Sequence, residues 1–148
     1  MPVLEQPTLR VMYSSTAIAT GGLLEGRVQT TDGRLDAPLT KPKELGGTGR
    51  DAGNDPAQFL AAAYSASFLA AMLAARSQDL PKIPRDVAVR TTVAFGLRPD
   101  GGFGLLATFE VRLPGVLPAD AQRLMDQARH ICSVCDATRK EVLRFKLM

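Results

Sequence analysis

The chain of 148 residues has no tryptophan, one histidine, two cysteines, two tyrosines and six phenylalanines. Each scarcity closes a route. Without tryptophan and with few aromatics, there is no ready platform for stacking the bases of single-stranded nucleic acid. Eighteen Lys and Arg stand against fifteen Asp and Glu, a net charge of +3, and no basic run exceeds Arg139-Lys140. Phosphate-backbone binding needs several cations on one surface, so nucleic acid is not an expected partner. Cys132 and Cys135 are too few and too close to frame a secreted disulfide scaffold. With His130 they fall short of the four ligands of a structural zinc, so no metal is expected, nor any other cofactor. The opening Met1-Pro2-Val3-Leu4-Glu5-Gln6 lacks the basic start and apolar run of a secretory signal. A reducing cytoplasm is the expected compartment.

What is present reads as one globular domain over residues 1–148, with 45% hydrophobic and 22% charged residues. Val11, Tyr13, Ile18 and the run Val28-Gln29-Thr30-Thr31 predict short strands over residues 9–38, with turns at Gly21-Gly22 and Asp32-Gly33. Residues 39–53 read as a loop. Asn54 or Asp55 then offers an N-cap and Pro56 a first helical residue, predicting a helix from Pro56 to about Arg76 or Ser77. That helix is uncharged and alanine-rich, with length enough to span a bilayer. Gln58, Tyr64, Ser65 and Ser67 interrupt it, so it reads as a buried central helix, with no membrane expected.

Val87 to Phe95 and Phe103 to Leu113 predict two strands around a Pro99-Asp100-Gly101-Gly102 turn. A second amphipathic helix is expected over residues 118–132, and a last strand over Val142 to Leu147. Strands, helix, hairpin, helix and strand in that order give an α+β fold. So apolar a helix is hard to cover within one small domain, which predicts an obligate homodimer.

Several motifs resemble the organic hydroperoxide resistance (Ohr) branch of the OsmC family. They are Pro42-Lys43-Glu44-Leu45-Gly46-Gly47, Pro56-x-Gln58, Ala62-Ala63-Tyr64-Ser65-Ala66, Pro99 to Leu105, Leu113-Pro114-Gly115 and Ala137-Thr138-Arg139. The resemblance implies an intertwined homodimer with antiparallel sheets around long central helices. It also implies thiol-dependent reduction of organic hydroperoxides, with a lipoyl dithiol as reductant. In that chemistry a thiolate attacks the peroxide, an Arg stabilises charge, a Glu orients the Arg and a second Cys closes a disulfide.

Carried over by motif, the attacking position is Ser67, the Glu position is Ala57, and the Arg position falls on Leu23 or Leu24. The resolving position keeps its sulfur as Cys132, followed by Ser133-Val134-Cys135. Arg27 and Arg50 could bring charge to the vacant Arg position but not a nucleophile. A serine hydroxyl stays un-ionised at neutral pH and has no sulfenic-acid step, so the family reaction is not expected to run at Ser67.

Three readings remain. Losing Arg and Glu makes the inherited pocket more apolar, which favours binding of an apolar small molecule or lipid. Phe59, Leu60, Phe68 and Phe103 are its expected lining. In the alternative reading, Cys132 and Cys135 form a CxxC dithiol that reduces hydroperoxides or disulfides. A Ser67–His130 hydrolase centre, with Asp126 or Asp136 as orienter, lacks a nucleophile elbow and is the least supported.

Overall fold

The order of elements follows from a few local decisions in the sequence. The computed structural model describes residues 10–21, 26–50, 52–75, 79–137 and 147. Contacts divide the chain into two compact units, Met1–Phe59 and Leu60–Met148.

In the first unit, β1 (Ala17–Thr20), β2 (Arg27–Thr30) and β3 (Asp36–Pro38) form an antiparallel sheet in that order. The β2–β3 connection is tied by Asp32, which accepts hydrogen bonds from the Thr30 hydroxyl and the Arg34 amide. Arg27 is paired with Asp36 across β2 and β3. Val11 and Tyr13 lie outside the strands and are largely exposed, contrary to expectation. β-propensity acts through pairing and packing, and neither has a strand partner. The Lys43–Leu45 turn of 3₁₀ helix ends at Gly46, whose φ of 92° favours glycine. A Cβ at Gly47 would collide with the Lys41 carbonyl, so the second glycine serves a close backbone approach.

Helix α1 spans Pro56–Ala74. Its start is a reciprocal cap in which the Gln58 amide donates to Asp55 Oδ1 at 3.0 Å, and the Asp55 amide donates to Gln58 Oε1 at 3.0 Å. Of the two candidate caps, Asp55 is the one used. The helix is long and apolar enough, by length and composition alone, to cross a membrane. Expected to be buried on several faces, it buries only Tyr64, Phe68, Ala71 and Met72 within one chain. Those positions share one face, because i, i+4 and i+3 neighbours stack along a helix. Residues 76–78, where the helix was expected to end, lie outside the described set.

In the second unit, β4 (Ala88–Leu97) and β5 (Phe103–Arg112) form an antiparallel hairpin, with Leu97 opposite Phe103 and Ala88 opposite Arg112. Its turn is closed by Asp100 Oδ1, which accepts the Gly102 amide at 2.9 Å, and Gly101 takes φ 85°. The base of the hairpin packs on the helices through Val89, Phe109 and Val111. The distal end is uncovered, with Leu97 76% and Leu106 75% exposed.

Helix α2 spans Pro118–Ile131, opening at the proline as expected, and α3 spans Ser133–Ala137. Leu124, Ala128 and Cys132 are spaced by four and buried along one line. The core joins Phe68, Ala71 and Met72 of α1 to Ala128 and Cys132. Residues 142–146 of the expected last strand lie outside the described set, which includes only its final residue, Leu147.

Met72 has no solvent exposure. Met72→Ala should lower stability by about 2–5 kcal/mol, from lost transfer energy and the cavity left behind. Urea unfolding followed by circular dichroism measures this.

Candidate functional site

The α1–α2 contact brings three polar side chains together. Ser67 Oγ lies 3.7 Å from Cys132 Sγ and 3.5 Å from Ser133 Oγ. Ser67 projects from the half-buried flank of α1, one residue before Phe68 in the core. Cys132 is 2% exposed and caps the C-terminus of α2, its amide donating to the Ala128 carbonyl at 2.9 Å.

Cys132 is disulfide-bonded to Cys135, with Cα atoms 5.3 Å apart. The pair lies at the C-terminal end of helix α2. It straddles a break between α2 and α3, leaving Cys135 in the short helix. The break turns Cys135 to a different surface. Cys132 is buried, whereas Cys135 is half-buried and lines an open cavity of about 730 Å³.

One wall of that cavity is aromatic. Tyr64 meets Phe109 edge-on with ring centroids 5.5 Å apart, and Phe68 packs on Phe109 at 5.1 Å. Ser65 Oγ, bonded to Thr91 Oγ1 at 2.9 Å, ties α1 to β4 behind this wall. Another wall is helix α2, which contributes Gln122, Met125, Asp126 and Arg129. Gln122 donates to Asp126 Oδ1 at 2.9 Å.

Of the residues expected to line a pocket, Phe68 does so. Phe103 sits on β5, 59% exposed and outside the lining, and Leu60 is half-buried outside it. Phe59 and Ala57 belong to the first unit and are half-buried there. Leu23 and Leu24 lie outside the described residues. His130 lines a separate cavity beside Asp79, and no hydrogen bond joins it to Ser67 among the described residues. The hydrolase arrangement is therefore not assembled. Among the described residues, no three His, Cys, Asp or Glu side chains are grouped to hold a metal.

Sequence reasoning did not anticipate Tyr64 or Phe109 as cavity residues. Tyr64 and Phe68 are spaced i, i+4 on α1, which is a readable signal for a shared face. Phe109 carries none, because its role depends on how β5 docks.

Comparison with known proteins agrees with this geometry. An organic hydroperoxide resistance protein of Xanthomonas axonopodis pv. citri is 42% identical over 133 residues, covering 90% of this chain and 92% of its own. This chain belongs to the organic hydroperoxide resistance (Ohr) family. The fold agrees with Ohr crystal structures. One, from Elizabethkingia anophelis with crystallant-derived thiocyanate bound, is 33% identical at a TM-score of 0.80, covering 89% of this chain and 92% of its own. Another, from Legionella pneumophila, is described as an organic hydroperoxide resistance protein OsmC, predicted redox protein and regulator of sulfide bond formation. It is 32% identical at a TM-score of 0.77, covering 89% of this chain and 93% of its own. No family model matches the chain. Within the Ohr fold, then, position 67 carries a hydroxyl beside a sulfur, and that sulfur is bonded to Cys135.

The ring closed by the Cys132–Cys135 bond is short, three residues apart in sequence. Reduction should therefore cost only about 2 kcal/mol of stability by the chain-entropy relation. Urea unfolding of oxidised and reduced protein tests this, and the reduced form should remain folded.

Proposed function

We propose that this Ohr protein is a thiol redox protein whose active sulfurs are Cys132 and Cys135, and whose cavity takes the apolar part of an organic hydroperoxide or a similar apolar molecule. The observation that carries the reading is that one sulfur of the disulfide lines a cavity walled by Tyr64, Phe68 and Phe109. A relative described as a predicted redox protein and regulator of sulfide bond formation adds support.

The inherited centre is silent in this reading. Ser67 supplies no thiolate, Ala57 no carboxylate, and Leu23 or Leu24 no guanidinium. A hydroxyl at 67 has a pKa far above neutrality and cannot form the sulfenic acid on which the family reaction depends. What persists is Cys132, at the resolving position, with a new partner three residues on. Reducing equivalents come from a dithiol, with the lipoyl type implied by the family. A reducing cytoplasm suits a disulfide that must be reopened in each cycle.

A second reading, in which the cavity only binds an apolar molecule or lipid and the disulfide is structural, is favoured by the aromatic wall. A relative from Vibrio cholerae, 29% identical at a TM-score of 0.78, holds a molecule of captopril in one of its active sites. That shows an organic molecule accommodated on this fold. We also propose the homodimer: only 22% of the apolar window of α1 is buried, and Leu97 and Leu106 stand exposed on the hairpin. These are the apolar faces a second copy would cover.

The test is hydroperoxide turnover with dihydrolipoamide as reductant, comparing wild type with the Cys132→Ser/Cys135→Ser double variant. Wild-type turnover above the reductant blank, abolished in the double variant, is expected. Absence of wild-type turnover, with displacement of a fluorescent fatty acid from the cavity, would instead establish the binding-only reading.

A further inference from the structure

Two sulfurs of one disulfide need not be equivalent, and here their surroundings differ. Cys132 is buried in the α1–α2 core, 2% exposed, clustered with Phe68, Met72 and Ala128 and with Ser67 Oγ 3.7 Å from its sulfur. Cys135 is half-buried and borders the open cavity. The same cavity is lined by the guanidinium-bearing Arg129 and by the carboxylate of Asp126. A sulfur-bearing residue, a cation, a carboxylate and an aromatic wall thus line one cavity, and position 67 is not part of it.

Resting on the redox reading above, we infer that the attacking sulfur is Cys135, that Arg129 is the cation that holds its thiolate, and that Cys132 resolves. The sulfur that a substrate in the cavity can reach is the better placed nucleophile, and a cation lining the same cavity favours its thiolate. A hydroperoxide entering the cavity meets Cys135 first, because Cys132 lies behind it in the core.

The steps balance. The reduced Cys135 thiolate attacks the outer oxygen of the hydroperoxide, the O–O bond breaks, and the alkoxide leaves with a proton as the alcohol. Cys135 becomes a sulfenic acid. The Cys132 thiol then attacks the Cys135 sulfur. The S–S bond forms, and hydroxide leaves with the thiol proton as water. Two thiols have supplied two electrons to one hydroperoxide. A dithiol reductant then reopens the disulfide by exchange, itself becoming a disulfide. Arg129 acts twice, holding the thiolate and then the charge that develops on the departing oxygen.

The experiment treats reduced single-cysteine variants with one equivalent of cumene hydroperoxide in the presence of dimedone, and locates the adduct by peptide mass spectrometry. Cys132→Ser should give a rapid adduct on Cys135, and Cys135→Ser should leave Cys132 unmodified on that timescale. A rapid adduct on Cys132 in the Cys135→Ser protein would reverse the assignment while leaving the redox reading intact. If reduced wild type forms no disulfide with hydroperoxide, the redox reading itself fails.

In the Cys132→Ser background, the pH profile of Cys135 alkylation by iodoacetamide reads the role of Arg129. Arg129→Gln should move the midpoint upward by about one pH unit, and Arg129→Lys should restore most of that shift. An unmoved midpoint in Arg129→Gln, with the melting profile of the parent, overturns the role given to Arg129.

Discussion

The packing of one face of α1 on the end of α2 is the contact on which the site depends. Phe68, Ala71 and Met72 meet Ala128 and Cys132, and this contact sets position 67 beside the Cys132 sulfur. Dense packing allows little adjustment, so the neighbourhood of Cys132 is fixed by residues with no chemistry of their own. Given that constraint, the identity of the residue at 67 decides whether Cys132 faces another sulfur or a hydroxyl. Here it faces the Ser67 hydroxyl at 3.7 Å, and its covalent partner lies along the chain instead.

The break between α2 and α3 gives that partner its access. Continuing α2 would have carried the inward line of Leu124, Ala128 and Cys132 onward by the helical period. Ending the helix at Ile131 and restarting it at Ser133 allows one sulfur to stay in the core and the other to reach the cavity. Membership of the Ohr family fixes the scaffold, but the chemistry is argued from the side chains present. A shared fold does not by itself give a mechanism.

Much of the fold was legible because local signals agreed. Asp55, Pro56 and Gln58 announce the start of α1, and Pro99 to Gly102 announce the hairpin that forms there. The state of the cysteine pair was not legible, because spacing alone does not reveal which sulfur is buried. The cavity was half legible. Phe68 was anticipated, whereas Phe109 comes from a strand whose docking no local pattern encodes. Val11 and Tyr13 mislead in the opposite direction, as strand formers without a strand to join.

The central claim is that the two-electron chemistry of this Ohr scaffold resides in the Cys132–Cys135 pair. The most direct test is the stoichiometry of thiol loss when fully reduced protein meets a single equivalent of organic hydroperoxide. The account predicts two thiols lost per hydroperoxide consumed, with peptide mapping returning the Cys132–Cys135 disulfide within one chain. Hydroperoxide left intact, with both thiols still titratable, would contradict it.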